Sequence, residues 1–233
     1  MKPNRFKALL KARKPAIGAQ LRFGSPAIAE QFGLAGFDFM SIDSEHAPQT
    51  PPGIQAQIQG ISCSGATPIV RLGSNDPVLI SLYLDMGAMG MLIPFISTAE
   101  QARIGAAACR YPPEGTRGLG PSRAAAYGFD TDYFQQANDQ VMFIPIIETA
   151  KSVENIEAIL AVNGVDTYVV GTYDLTVSLG IPMDFEHPRL KDAMKRIEAA
   201  SDKTSTPRGV ALAPERIDSD TCKRYIDDGY SYF

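Results

Sequence analysis

The sequence predicts a single (β/α)8 barrel, the TIM-barrel class, as one domain over residues 1–233. Three observations predict it. Short β-rich runs alternate with longer amphipathic segments from one end of the chain to the other. Eight such runs are present, which favours a closed ring over an open sheet. The runs are apolar on both faces, as parallel strands covered on each side and joined by right-handed crossovers must be.

The elements follow in order. "AIGAQL" (16–21) leads into "SPAIAEQFGLAG", which opens on Ser25 and closes on Gly36 as a capped helix does. "FDFMSID" (37–43) is the second strand. "TPIVRL" (67–72) precedes "DPVLISLYLDMG", bounded by Asp76 and Gly87. "GMLIPFI" (90–96) precedes "TAEQARIGAAACR", which opens on Thr98. Between Tyr111 and Asp132 the chain reads "YPPEGTRGLGPSRAAAYGFDTD", a Pro/Gly-rich loop before a short helical piece. Loops of that length in a compact domain are usually functional. "VMFIPIIE" (141–148) leads to "SVENIEAILAV", and "DTYVVGT" (166–172) is the sixth strand. "RGVALA" (208–213) is followed by "PERIDSDTCKRYIDDG" and then "YSYF" (230–233), an eighth strand after which no eighth helix follows in the 233 residues. An open doubly wound sheet is the alternative, but it needs a glycine-rich phosphate turn after the first strand, and "RFGSP" (22–26) is not one.

Apolar residues at 45% and charged residues at 21% describe a globular chain. A net charge of −4 offers no electrostatic case for nucleic acid or an anionic membrane. No apolar run approaches the ~20 residues of a bilayer span. The basic start "MKPNRFKALLKARKP" lacks the apolar segment of a secretory signal. Three scattered cysteines, Cys63, Cys109 and Cys222, read as small buried residues in a protein of the reducing cytoplasm.

A barrel of this class carries its site where the strands end. The second strand ends in Asp43, Glu45 and His46, the third in Arg71, the fifth in Glu148, and the sixth runs through "GTYD" to Asp174. Two like carboxylates on neighbouring strands, Glu148 and Asp174, invite a divalent cation with oxygen ligands, Mg²⁺ or Mn²⁺. Each alone reads equally well as a helix cap. Arg71 suits a carboxylate or oxyanion, with a structural pair to Asp43 or Asp85 as the alternative. His46 suits a general base, or else an exposed loop position. His187 reads as a helix start. Asp85, just before the fourth strand, belongs by geometry to the opposite end of the barrel.

These residues lie in "AGFDFMSIDSEHAP", "PIVRLGSNDPVLI", "GAMGMLIPFISTAEQA", "RYPPEGTRGLG", "IIETAKSVENIEAILAVNGVD" and "GTYDLTVSLG". Together the motifs resemble the HpcH/HpaI aldolase family of class II pyruvate aldolases, from about Phe6 to Phe233. The resemblance implies that Glu148 and Asp174 hold a divalent ion, Mg²⁺, Mn²⁺ or Co²⁺, chelated by pyruvate. It implies that Arg71 stabilises an enolate, that His46 is the acid/base, that Asp85 forms a dyad with His46, and that Asp43 lies near metal-bound water and the aldehyde. The backbone at Gly171, Thr172 and Tyr173 would receive the pyruvate carboxylate. The chain departs from the family pattern at Gln20, Ile146, Thr172 and Tyr173, which alters the pocket wall. The implied activity is reversible cleavage of a 4-hydroxy-2-keto acid to pyruvate and an aldehyde, in a homo-oligomer (a hexamer built as a trimer of dimers). The alternatives are a related lyase or synthase on oxaloacetate or another keto acid, and a non-catalytic metal-binding barrel.

Overall fold

Parallel pairing organises the molecule. The computed structural model describes residues 1–212 and 218–233. Strands β1 (Gly18–Leu21), β2 (Phe39–Asp43), β3 (Thr67–Arg71), β4 (Gly90–Ile93), β5 (Met142–Ile147) and β6 (Val169–Val170) form one parallel sheet in sequential order. Strand β7 (Arg208–Gly209) pairs in parallel with β8 (Tyr230–Tyr232). Single parallel bridges join Val170 to Val210 and Ala16 to Tyr232. The architecture is a curled parallel α/β sheet of the TIM-barrel type. The sixth and seventh strands are shorter than the apolar runs suggest, and Ala213 to Ile217, at the end of one expected strand and the start of the next helix, lie outside the described residues.

The expected helices appear as α2 (Pro26–Leu34), α4 (Pro77–Asp85), α5 (Ala99–Ala108) and α11 (Ser219–Asp227), capped by Ser25, Asp76, Thr98 and Asp218. The run after the fifth strand is broken into α7 (Ala150–Glu154) and α8 (Ile156–Leu160). Asn155, at the break, donates from Nδ2 to Ser97 O at 2.9 Å, a tertiary bond that local periodicity does not announce. Other helices are α1 (Arg5–Lys11), α3 (Pro51–Ile61), α6 (Tyr133–Gln140), α9 (Thr172–Ser178) and α10 (Pro188–Thr204). His187 is the N-cap of α10, as expected: its Nδ1 accepts from Arg189 N at 3.1 Å. Among the described residues no helix is long and apolar enough to cross a membrane.

Strand side chains alternate between two cores. Leu21, Ile42, Val70, Leu72, Met91, Ile93, Phe143, Ile147 and Val170 pack outward against the helices. Phe39, Ile69, Leu92, Met142, Ile144, Ile146, Val169 and Tyr232 fill the inside. Helix α1 plugs the end where the strands begin. Its Phe6, fully buried, stacks on Phe39 with centroids 4.3 Å apart and meets Tyr232 edge-on at 5.0 Å. Asn4, its N-cap, donates from Nδ2 to Met89 O and Gln140 O, so the plug is bonded to two chain segments at strand starts.

The Pro/Gly-rich loop has a defined place, and the reading of the cysteines needs correction. The Tyr111–Asp132 stretch joins α5 to α6 and packs where helices end and strands begin, away from the strand ends. Arg117, buried, holds it: Nη2 lies 2.7 Å from Asp85 Oδ1, Nη1 donates to the Tyr133 hydroxyl at 3.4 Å, and the guanidinium sits 4.5 Å over the Tyr111 ring. Arg123 Nη1 donates to Met86 O at 2.7 Å, satisfying a carbonyl at the end of α4. Among the cysteines only Cys109 is buried; Cys63 is exposed and Cys222 intermediate, and all three are free.

Truncating the plug tests this packing. Phe6→Ala should destabilise the protein by about 3–5 kcal/mol, the usual cost of deleting a buried phenyl ring. Urea denaturation reads it, and a cost near zero would show that α1 does not close the barrel.

Candidate active site

The inner face of the sheet is apolar until its last residues, and there it turns polar. Counting by twos along β2, Phe39 and Ser41 are followed by Asp43; along β3, Thr67 and Ile69 by Arg71; along β5, Ile144 and Ile146 by Glu148; along β6, Val169 by Gly171. Asp43, Arg71 and Glu148 therefore reach one mouth because they share the parity of the inner core.

Asp43 is fully buried, and its carboxylate is fully engaged. Oδ1 accepts from the backbone N–H groups of Glu45 and His46 at 3.1 and 3.0 Å, and Oδ2 accepts from Gln20 Nε2 at 2.8 Å. This is an Asx-type turn that shapes the strand tip. Ser44 continues it, donating from Oγ to Arg71 O at 2.6 Å and so tying the tip to β3. Arg71 pairs with Glu45, Nε to Oε2 at 2.6 Å, instead of the Asp43 or Asp85 that its position suggested. The same Glu45 oxygen lies 3.6 Å from His46 Nε2, while the imidazole remains exposed to solvent. Burial pushes the Glu45 carboxyl up, and the Arg71 charge opposes that shift.

Glu148 is the most constrained carboxylate. Almost wholly buried, it accepts from the Phe95 backbone N–H at 2.6 Å through Oε1. Phe95 has φ 56°, an uncommon left-handed conformation for an aromatic residue, next to this bond. On the other side Gly171 comes so close that a Cβ there would sit 2.9 Å from Glu148 Oε2. Burial first, and then the negative charges of Asp174 and Glu45, raise the Glu148 pKa to about 7, against the Phe95 bond and Arg71. Neither Glu148 nor Asp174 is an N-cap. Thr149 caps α7 through Oγ1, and Gly171 holds the N-cap position of α9, with Asp174 exposed in its first turn. Thr172 and Tyr173 open α9, and the Tyr173 ring meets Phe185 edge-on at 5.3 Å.

Asp85 does not join this group within the chain. It ends α4, on the side where β4 begins, and Arg117 takes its carboxylate. Arg22 does join it, although it lies past the end of β1 where a search of strand ends stops. Counting by twos from Gly18 and Gln20 reaches it. Its Nη2 donates to Gln20 Oε1 at 3.3 Å, and its Nε lies 3.7 Å from Asp43 Oδ2.

Comparison with known proteins places this geometry. The model of the HpcH/HpaI aldolase/citrate lyase family matches residues 21–228. The 5-keto-4-deoxy-D-glucarate aldolase of Klebsiella pneumoniae subsp. pneumoniae is 38% identical over 231 residues, covering 99% of this chain and 89% of the relative. The crystal structure of an HpcH/HpaI aldolase/citrate lyase family protein from Burkholderia cenocepacia superposes with a TM-score of 0.92 at 35% identity, covering 98% of this chain and 91% of that one. An HpcH/HpaI aldolase from Desulfitobacterium hafniense gives 0.88 at 30% identity, with 97% and 87% covered. Similarity of this extent makes the protein an enzyme, a lyase of the aldehyde-lyase type. Its inner-face acids, arginine and histidine stand at the strand ends of a chain that belongs to the HpcH/HpaI aldolase/citrate lyase family.

Proposed function

We propose that this protein reversibly cleaves a 4-hydroxy-2-keto acid to pyruvate and an aldehyde by class II aldol chemistry, in a closed eight-stranded barrel. The single bridges from Val170 to Val210 and from Ala16 to Tyr232 support the closed ring. The observation that carries the chemistry is the buried Glu148, pressed by Asp174 and Glu45 on the inner face. Class II aldolases generally depend on a divalent metal. The donor set here fits one: two oxygen-donor carboxylates with mutual repulsion, one of them held between the Phe95 N–H and the Gly171 backbone. Glu148 and Asp174 would hold Mg²⁺ or Mn²⁺, which supplies Lewis-acid polarisation of the keto oxygen and of its neighbouring carboxylate.

The chain's own residues do the rest. His46, the exposed imidazole of the group, accepts the proton of the 4-hydroxyl. The electrons of that O–H bond form the aldehyde carbonyl, and those of the C3–C4 bond pass into the pyruvate enolate. Arg71 is the cation available to the enolate oxygen, and its planar fork is already oriented by Glu45. A proton returned to carbon three completes pyruvate. Asp43 is a positioning residue, because its Oδ1 holds the backbone N–H groups of Glu45 and His46 in place. The backbone at Gly171 to Asp174, at the start of α9, suits the carboxylate of the keto acid. The aldolase relatives support the assignment, since 5-keto-4-deoxy-D-glucarate is a 4-hydroxy-2-keto acid when numbered from its keto end. A pyruvate and aldehyde screen with and without EDTA tests the proposal directly; condensation that is indifferent to EDTA would overturn the metal assignment.

Three outcomes follow from the roles given. His46→Ala should lose roughly 10²- to 10⁴-fold in cleavage rate, the usual worth of one positioned acid/base, and Glu45→Gln should lose much less. The reverse order in stopped-flow pyruvate release would make the glutamate the base. Arg71→Lys should lower kcat more than it raises KM for pyruvate, because enolate charge develops mainly in the transition state. A pure KM effect would assign Arg71 to substrate binding alone.

The third outcome concerns pH. The Glu148 carboxyl rises from an ordinary 4.5 to about 7 in the fold. As pH climbs through that window the unfolded chain releases this proton before the folded one does, so stability of the metal-free protein falls. Glu148→Gln stays neutral and should flatten the fall. Urea midpoints at about pH 5 and about pH 8 read the difference; parallel slopes for variant and wild type would show that Glu148 is ionised at ordinary carboxylate pH.

A further inference from the structure

Asn155 sits where α7 ends and α8 begins, a position in which asparagine usually caps the helix it opens. Here its side chain makes no such cap. Nδ2 instead crosses to Ser97 O, 2.9 Å away in the loop after β4. Ser97 is held at its other polar groups as well. Its backbone N–H donates to Gln101 Oε1 at 2.8 Å, and its Oγ lies 2.8 Å from Thr149 Oγ1. Thr149 directly follows Glu148. The loops that leave β4 and β5 are therefore cross-linked beside this acid.

The cross-links bear on Phe95, two residues before Ser97. At φ 56° its backbone is left-handed, which crowds the Cβ of any residue but glycine against the following carbonyl oxygen. Its ring does not demand this conformation, since Phe95 is 53% exposed. What the conformation accompanies is the backbone N–H that Glu148 Oε1 accepts at 2.6 Å. A strained residue persists only where its surroundings over-determine it. On the C-terminal side of Phe95 that restraint comes from the buried Ile96 and from the three bonds at Ser97.

We infer that Asn155 is a positioning residue for the cation site: by anchoring Ser97 it keeps Phe95 left-handed, so that the Phe95 N–H fixes one oxygen of Glu148 and leaves the other for the ion. This rests on the metal assignment above. The break between α7 and α8 then has a purpose, because it gives the Asn155 side chain to the neighbouring loop instead of to its own helix.

The test is calorimetric Mn²⁺ binding by the metal-free protein, in wild type, Asn155→Ala, and Asn155→Ala combined with Phe95→Gly. Asn155→Ala should bind Mn²⁺ about 10-fold more weakly, the lower end of what losing an outer partner costs a metal site. Glycine adopts positive φ at no steric cost. Adding Phe95→Gly should therefore recover part of the lost affinity, although it restores no bond at Ser97. A residue that only braced the fold would not be rescued in this way. Unchanged affinity in Asn155→Ala, or a double variant no better than Asn155→Ala, overturns the inference. Should Asn155→Ala unfold, Asn155→Asp takes its place, since it keeps the size and lacks the donor. A second measurement needs no metal: amide hydrogen exchange over residues 93–98, read by mass spectrometry. Exchange there should be faster in Asn155→Ala than in wild type, and equal protection overturns the inference. If wild type binds no Mn²⁺ the metal assignment itself fails, whereas equal binding by wild type and Asn155→Ala removes only the role of Asn155.

Discussion

A β-strand sends alternate side chains to opposite faces, and in a parallel sheet the neighbouring strands keep that alternation in register. Asp43 stands beside Arg71 in the β2–β3 ladder, and Glu148 follows Ile144 and Ile146 on the same inner parity. A shift of one residue in β2 or along the continuation of β5 would carry a carboxylate into the helix-packed outer core and bring an isoleucine to the mouth. The hydrophobic pattern that stabilises the barrel is thus the same constraint that assembles the site.

The second constraint is electrostatic. Carboxylates held at the end of an apolar interior are costly unless each has partners. Asp43 meets that requirement with backbone N–H groups and Gln20, and Glu45 meets it with Arg71. Against its burial and the repulsion of its neighbours Glu148 has one backbone N–H and the Arg71 charge, which leaves its pKa at about 7. The least satisfied acid is therefore the one that gains most from a cation. Structural stability and chemical readiness oppose each other at this residue, and the rest of the site is arranged around that conflict.

The opposite end of the molecule has a different economy. There Phe6 and Leu10 of α1 close the interior, and Arg117 draws Asp85, Tyr111 and Tyr133 together. Its charged groups are spent on one another and on backbone carbonyls, as with Lys7, which lies 2.9 Å from Asp166 and donates to Val141 O. Polar groups at the strand starts hold the fold; those at the strand ends, buried Asp43 and Glu148 among them, gather on the inner face.

Much of this was legible along the chain. The strand runs, the capping residues Ser25, Asp76 and Thr98, and the polar residues closing apolar runs are local features, each contained in a few neighbouring residues. The family motifs carry the reaction class for the same reason. What the linear pattern left open were choices among distant partners. Arg71 had Asp43 and Asp85 as candidate partners, and packing brought Glu45 to it instead. Asp85 went to Arg117 because α4 delivers it to the far end, and the Pro/Gly-rich stretch went with it. The break at Asn155, the Phe95 N–H on Glu148 and the tether on Arg22 depend on contacts between separate segments. Composition and periodicity determined which elements form and which residues end them; only the packing of those elements determined which charges meet, because such pairs are set by distance in space and not along the chain.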